Sequence, residues 1–301
     1  MDKADVSTTD TSAGGSDPEQ FIEAEQLEPG AMVAKRYRVV RQMSRDDVGV
    51  SVLVEDVIWG EEIVLKFLHR NVASNETRIR QFIHELRDAR KMVHANILHM
   101  HDLLVLGASY AVSLEYFSSH SLAEELKQGP LNVRRGLRIA WDICRGLNAA
   151  HQVGMVHREL TPSYIMVNYT GGVKVVRNFV STHDVGAAAS EEDALLRAPR
   201  YLAPEHVRRG ILDARTNIYS LGVIMYEMFT GRPPYVADDS VTLLLQHAEG
   251  KPTSPQQLRP EILPDVETVI LKTMAVDPAQ RFQSTDDVRR SLAVLFRQAP
   301  G

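Results

Sequence analysis

The sequence predicts an α+β protein made of two unequal lobes around a cleft. Two observations carry the prediction. The first third holds consecutive short segments rich in β-branched residues, and the rest holds mostly amphipathic or apolar helical stretches. A third observation, the order of several local motifs along the chain, narrows the architecture further.

Residues 1–30 precede both regions. They hold eight acids and one base, Lys3, and their large apolar residues fall mainly at Phe21, Ile22 and Leu27. Such a segment buries too little surface to offset its ordering entropy. It is read as a disordered acidic tail, with a short docking element at Phe21–Leu27 as the alternative. The folded domain is expected over residues 31–297, with a small lobe at about 36–116, a large lobe at about 117–297 and a short tail at 298–301.

In the small lobe, Tyr37–Met43, Val48–Glu55 and Glu62–Leu68 read as antiparallel strands separated by polar turns. Thr77–Val93 places Ile79, Phe82, Ile83, Leu86, Ala89 and Met92 at helical spacing. Strands at Ile97–Leu106 and Tyr110–Tyr116 close this region. Beyond Ser121, helices are predicted at Leu137–His151, Ile218–Phe229, Val241–Glu249, Val266–Ala275 and Thr285–Arg297. Short strands near Tyr164–Val167 and Val173–Val176 interrupt them.

Composition excludes several classes. The 301 residues are 44% hydrophobic, too apolar for a disordered chain. One cysteine, Cys144, excludes a disulfide framework and a cysteine-based zinc cluster. No apolar run reaches the ~18 residues of a membrane span, and the acidic start is no signal peptide, so a cytoplasmic location is expected. The net charge of −5 divides into −7 on residues 1–30 and +2 on the remainder, which argues against nucleic-acid binding. His94, His99 and His101 lie close together without a convincing fourth ligand and are read as fold residues; no metal site is expected. Three arginines within Leu131–Arg138 are read as a solvated helix face.

His157-Arg158-Glu159-Leu160-Thr161-Pro162-Ser163-Tyr164-Ile165-Met166-Val167 resembles the catalytic loop of bacterial-type Ser/Thr protein kinases. Tyr201-Leu202-Ala203-Pro204-Glu205 resembles the end of that family's activation segment. Asn217–Val223, Thr230–Tyr235 and Asp277–Phe282 resemble its central helix, the turn after it and its C-terminal helices. Ile63-Val64-Leu65-Lys66 and His94-Ala95-Asn96-Ile97 fit the third strand and the turn after helix C. The resemblance spans about residues 36–297. It implies a bilobal protein-kinase-like fold, with a small antiparallel β-sheet lobe carrying helix C and a larger, mainly helical lobe.

The resemblance also locates a site, and the residues there depart from the family pattern. Phosphoryl transfer needs positioned phosphates, neutralising metal ions and a carboxylate to accept the hydroxyl proton. The glycine-rich loop falls on Ser44–Ser51 and keeps only Gly49. Asp46 and Asp47 put negative charge where polyphosphate belongs, each contact unfavourable by up to ~4 kcal/mol at an effective dielectric near ~20. Lys66 and Glu85 match the family's phosphate-clamping pair, or a latch of helix C to the sheet. Together with Gly49 and Glu115 they form a vestigial nucleotide site. Glu159 replaces the catalytic aspartate, and its longer side chain displaces the carboxylate by roughly 1 Å, a shift that can cost ~10²-fold. Thr161 replaces a lysine, and Tyr164 replaces a metal-binding asparagine. The metal-binding aspartate of the D-F-G tripeptide falls on Arg177 or, shifted by one, on Asn178.

The retained positions are structural. Glu205 and Arg281 match a buried salt bridge, His157 and Arg158 are kept, and Asn217 stands where the family has an aspartate that ties the loop down. One carboxylate of Glu191-Glu192-Asp193 is suggested to pair with Arg158 in place of a phosphate, against the plainer reading of a solvated acidic loop. The expectation is therefore a pseudokinase: no catalytic residue functional, no cofactor required, and ATP without Mg²⁺ as the fallback. It would act as a scaffold or allosteric partner of a protein such as an active kinase, or of a second copy through the small lobe. The alternatives are a weakly active Ser/Thr kinase with Glu159 as base and a Lys66–Glu85 clamp, and a nucleotide sensor without turnover.

Overall fold

A computed structural model describes residues 21–46, 48–74, 92–176, 179–181 and 199–298, with residues 79, 80, 83 and 86 between. The chain divides into two units, one of residues up to Arg80 with Met100–Tyr116, the other of Gln81–His99 with Phe117 onward.

The smaller unit is a six-stranded antiparallel sheet in the order β1-β2-β3-β4-β6-β5. Its strands are β1 (Met32–Val33), β2 (Tyr37–Arg45), β3 (Gly49–Asp56), β4 (Glu61–Leu68), β5 (Met100–Leu106) and β6 (Ser109–Glu115). The β3–β4 hairpin runs in unbroken register from Gly49↔Leu68 to Asp56↔Glu61. Asp56 starts its turn by accepting the Ile58 N–H at 3.1 Å, and Gly60, at φ +68°, takes the left-handed conformation that side chains avoid. On one face of the sheet Val39, Val52, Val54, Leu65, Phe67 and Ala111 form a buried cluster, the alternation expected of strands with a buried face.

That cluster is completed by the segment before β2, whose residues up to Gly30 were expected to be a disordered tail. Ala24 and Val33 are buried in it, and Ile22, Leu27 and Ala31 pack against it. The Ile22 N–H donates to Ser109 Oγ at 2.7 Å, and Gln42 Nε2 donates to the carbonyls of Ala24 and Glu25. Glu23 pairs with Arg70, whose guanidinium also lies 4.4 Å from the centre of the Phe21 ring. The tail prediction therefore fails for residues 21–30. Composition undercounted them because three apolar side chains suffice when a preformed sheet supplies the other half of the core. The predicted helix at 77–93 lies largely outside the described residues; Ile79, Arg80, Ile83 and Leu86 are helical and Ile79 is buried.

The larger unit is mainly helical, with α1 (Val133–Gln152), α2 (Ala214–Thr230), α3 (Ser240–Glu249), α4 (Pro264–Thr273) and α5 (Thr285–Gln298). Asn132 caps α1 by accepting the Arg134 and Arg135 N–H groups. Asp213 caps α2 in a reciprocal box with Thr216. Almost every residue of α2 from Thr216 to Phe229 is buried, so this helix is the axis of the core. Gly222 permits that packing: a Cβ there would lie 2.7 Å from Met274 and from Thr273. Two small sheets complete the unit. One joins β7 (His120–Ser121), β9 (Ile165–Val167) and β10 (Val173–Val175), and the other pairs β8 (Met155–His157) with β11 (Phe179–Ser181).

Among the described residues no helix is long and apolar enough to cross a membrane, and no group of three or more metal-binding side chains occurs. His94 Nδ1 accepts the Asn96 N–H at 3.0 Å, a turn-forming role. The arginines after Leu131 are engaged: Arg135 with Glu125, Arg138 with Asp142, and Arg134 over the Phe296 ring.

Candidate functional site

The β2–β3 turn is built around Asp46. Its Oδ1 accepts the N–H groups of Val48 and Gly49, each at 3.0 Å. Its backbone N–H donates to the Gly49 carbonyl at 3.0 Å. This is an aspartate capping its own turn. The other oxygen, Oδ2, receives the Lys66 ammonium at 2.5 Å. Burial alone would raise the Asp46 pKa, but the charge and hydrogen bond of Lys66 and the two backbone N–H groups outweigh it and hold the carboxylate below its ordinary value. The Asp46 carboxylate, expected to stand where polyphosphate belongs, is paired with Lys66. Asp47 lies outside the described residues, as does Glu85, so among the described residues the ion partner of Lys66 is Asp46.

Gly49 has a packing role besides the predicted nucleotide-binding one. A Cβ at this position would fall 1.9 Å from the Phe67 carbonyl oxygen, so the β3–β4 pair closes only over glycine. Glu115, the other predicted contact, ends β6 opposite Ile63, three pairs along from the Lys66↔Val112 pair. Sequence reasoning missed His69. Its Nε2 donates to the Asp46 carbonyl at 2.8 Å, and its Nδ1 lies 3.7 Å from Glu25. The aspartate–x–x–glycine spacing of Asp46 and Gly49 was the available sign of this turn; nothing in the sequence signals His69.

In the larger unit, the loop from His157 to Tyr164 is fastened at both ends to Val176. His157 Nε2 donates to the Val176 carbonyl at 3.0 Å, and the Val176 N–H donates to the Tyr164 carbonyl at 2.7 Å. Burial pushes the His157 pKa down to about 4, so the ring is neutral at pH 7 and its Nε2 carries the proton. The His157 and Tyr164 rings meet edge-on at 5.3 Å. Asn217 holds the backbone of His157 from the α2 side, accepting its N–H at 2.8 Å and donating to its carbonyl at 2.6 Å. Loss of the family's aspartate therefore leaves the loop tied down.

Glu159 is 9% exposed and Thr161 7% exposed, so the carboxylate predicted as the altered base is held inside the fold. Tyr164 is partly buried in the short turn Pro162–Tyr164. A neutral phenol does not fit a magnesium ligand at this place. Arg177 and Asn178, the two registers of the lost aspartate, lie outside the described residues, and so do Glu191, Glu192 and Asp193. The pairing suggested for Arg158 with that acidic cluster falls there too.

The predicted brace is present. Arg281 forms a two-pronged pair with Glu205, Nη1 to Oε1 at 2.7 Å and Nη2 to Oε2 at 2.8 Å. Its remaining N–H groups reach the carbonyls of Ala275, Arg215 and Val276. The Tyr219 ring packs 4.7 Å below the guanidinium.

A family model described as protein kinase domain matches residues 37–291. The serine/threonine-protein kinase PrkC of Bacillus subtilis is 29% identical over 268 residues, which is 89% of this chain and 41% of the relative. PknB of Mycobacterium leprae is 30% identical over 255 residues, again covering 41% of the relative. The chain thus spans about two-fifths of the length of these curated relatives. Among solved structures, the kinase domain of Mycobacterium tuberculosis PknI superposes with a TM-score of 0.67 at 24% identity, covering 89% of this chain and 99% of that one. The fold is the expected one. The expectation of a chain that is not an enzyme is corrected by these relatives, which are named as Ser/Thr kinases and align over most of its length. The departures at Glu159, Thr161 and Tyr164 remain, but they no longer decide the question alone.

Proposed function

This chain belongs to the protein kinase domain family, and from that premise we propose that it is an ATP-dependent protein Ser/Thr phosphotransferase of low turnover. One observation carries the nucleotide half of the proposal. Lys66 Nζ and the N–H groups of Val48 and Gly49 converge on a single anionic carboxylate, the set of donors that suits a phosphate. When bound, ATP supplies the phosphoryl group. In the smaller unit Lys66 and the two backbone N–H groups would hold its phosphates; in the larger unit Glu159 is the base for the substrate hydroxyl. The longer glutamate makes a base displaced by roughly 1 Å, and a rate about 10²-fold below that of an aspartate follows. Tyr164 itself offers no magnesium ligand.

The test is transfer of labelled γ-phosphate from ATP to a generic protein substrate, run with Mg²⁺, with Mn²⁺ and with neither. Transfer to serine or threonine that is lost in K66M and in E159Q supports the proposal. Transfer no greater than that of K66M in all three conditions overturns it. A protein partner that docks on the small unit would have to use a surface other than the sheet face covered by residues 22–33.

A further inference from the structure

We propose that Asp46 is a built-in competitor of the nucleotide: its carboxylate occupies the phosphate donors, and ATP binds only by displacing it. The inference rests on Lys66 being the phosphate-holding cation and adds a regulation to that site. Asp46 does two separable things with its two oxygens. Oδ1 caps the turn through Val48 and Gly49, a role any short acceptor side chain can fill. Oδ2 faces the Lys66 ammonium and is not needed for the turn. A carboxylate and a phosphate oxygen present the same chemistry to these donors, so only one can be seated there at a time.

The competitor is held in place from several sides. The Asp46 backbone N–H is bonded to Gly49 and its carbonyl to His69. Glu25 of the N-terminal strap reaches both His69 and the neighbouring Arg45, at 3.7 and 3.6 Å. The side chain is thus positioned before any ligand arrives, and the loss of rotamer freedom that opposes a long flexible ion pair is already met. The seal is also openable. Asp46 is half exposed, with 53% of its side-chain surface in solvent, so a polyanion that brings several charges to Lys66 can outbid one carboxylate.

Asparagine at position 46 separates the two roles. Its Oδ1 keeps the cap, while the charge on Lys66 is released. ATP, tripolyphosphate and adenosine are titrated calorimetrically into the 301-residue wild type, D46N and D46N/K66M. The expected result is a gain of at least about tenfold for ATP and tripolyphosphate in D46N, none for adenosine, and loss of the gain in D46N/K66M. Acylation of Lys66 by an amine-reactive ester, read by peptide mass spectrometry, should also be faster in D46N. Equal or weaker ATP binding in D46N, including no binding by either protein, overturns the competition. A gain in affinity without phosphate transfer keeps the competition and removes the kinase reading. Transfer by the wild type with unchanged affinity in D46N does the reverse.

Discussion

The side chain of Asn217 holds both backbone polar groups of His157, taking its N–H on Oδ1 and giving Nδ2–H to its carbonyl. It also receives Nε2–H of His151 at 3.0 Å. A carboxylate could accept two of these bonds but could not donate the third. The amide is therefore suited to this loop, and the departure from the family pattern is compensated locally. Replacing Asn217 with alanine leaves the buried N–H and carbonyl of His157 without partners, each worth about 1–3 kcal/mol. N217A is expected to lose about 2–5 kcal/mol in urea unfolding. A loss below about 1 kcal/mol would mean that water or a neighbour replaces the amide.

Arg281 uses all five of its N–H groups, on two carboxylate oxygens and three carbonyls, and its side chain is fully buried. R281M keeps volume but strands Glu205 in the core, and breaking one partner of such a pair costs about 3–5 kcal/mol. R281K keeps the charge yet offers three donors from a single point, so it should recover only part of the loss. The order expected by chemical denaturation is wild type, then R281K, then R281M. Equal stability of the two variants would show that charge alone, without the fork, sets the strength of the brace.

The brace and the helical core were legible because their signals are local and repeated. Glu205, Arg281 and the apolar run from Ile218 each sit in a motif whose spacing reports its structure. The strands from Tyr37 to Leu68 were legible through alternation, with ends wrong by one or two residues. Residues 21–30 were not legible, because their burial depends on a sheet formed by distant sequence. Asp46 was half legible: its charge was visible, but its partner was not. Lys66 lies twenty residues away, and only the β2–β3–β4 register brings the two together. The absence of functional catalysis was inferred from the identities at Glu159, Thr161 and Tyr164, and the named kinase relatives correct that inference.

Acid should unfold this protein through its buried histidines. Burial pushes His157 and His247 down to about 4, and His151 is shifted the same way. The folded state keeps these rings neutral while the unfolded chain protonates them near pH ~6.5. The contribution of His157 and His247 is therefore intact above about pH 6.5 and is lost as the pH falls toward 4, at about 1.4 kcal/mol per pH unit for each of the two; His151 acts in the same direction. His247 Nδ1 accepts the Tyr219 hydroxyl at 2.7 Å, a bond that an asparagine oxygen can retain. H247N is expected to flatten the decline between pH 6 and 5 by about 1.4 kcal/mol per unit. An unchanged slope would assign the decline to other groups.

The N-terminal strap should behave as part of the domain. Ala24 and Val33 are buried, Ile22 and Leu27 pack on the same cluster, and the Gly30 N–H donates to the Val39 carbonyl at 2.8 Å. Its acids meet nearby bases, Glu23 with Arg70 just beyond β4 and Glu25 with Arg45 of β2. A chain beginning at Met32 removes the apolar cover from Val39, Val52, Leu65 and Phe67. With part-buried isoleucine and leucine side chains each contributing about 1–2 kcal/mol, the loss is about 2–4 kcal/mol. In a protein of this size that lowers the melting temperature by roughly 4–10 °C. A chain beginning at Phe21 should melt with the 301-residue chain. Coincident melts for all three chains would show that the strap adds nothing to the core it covers.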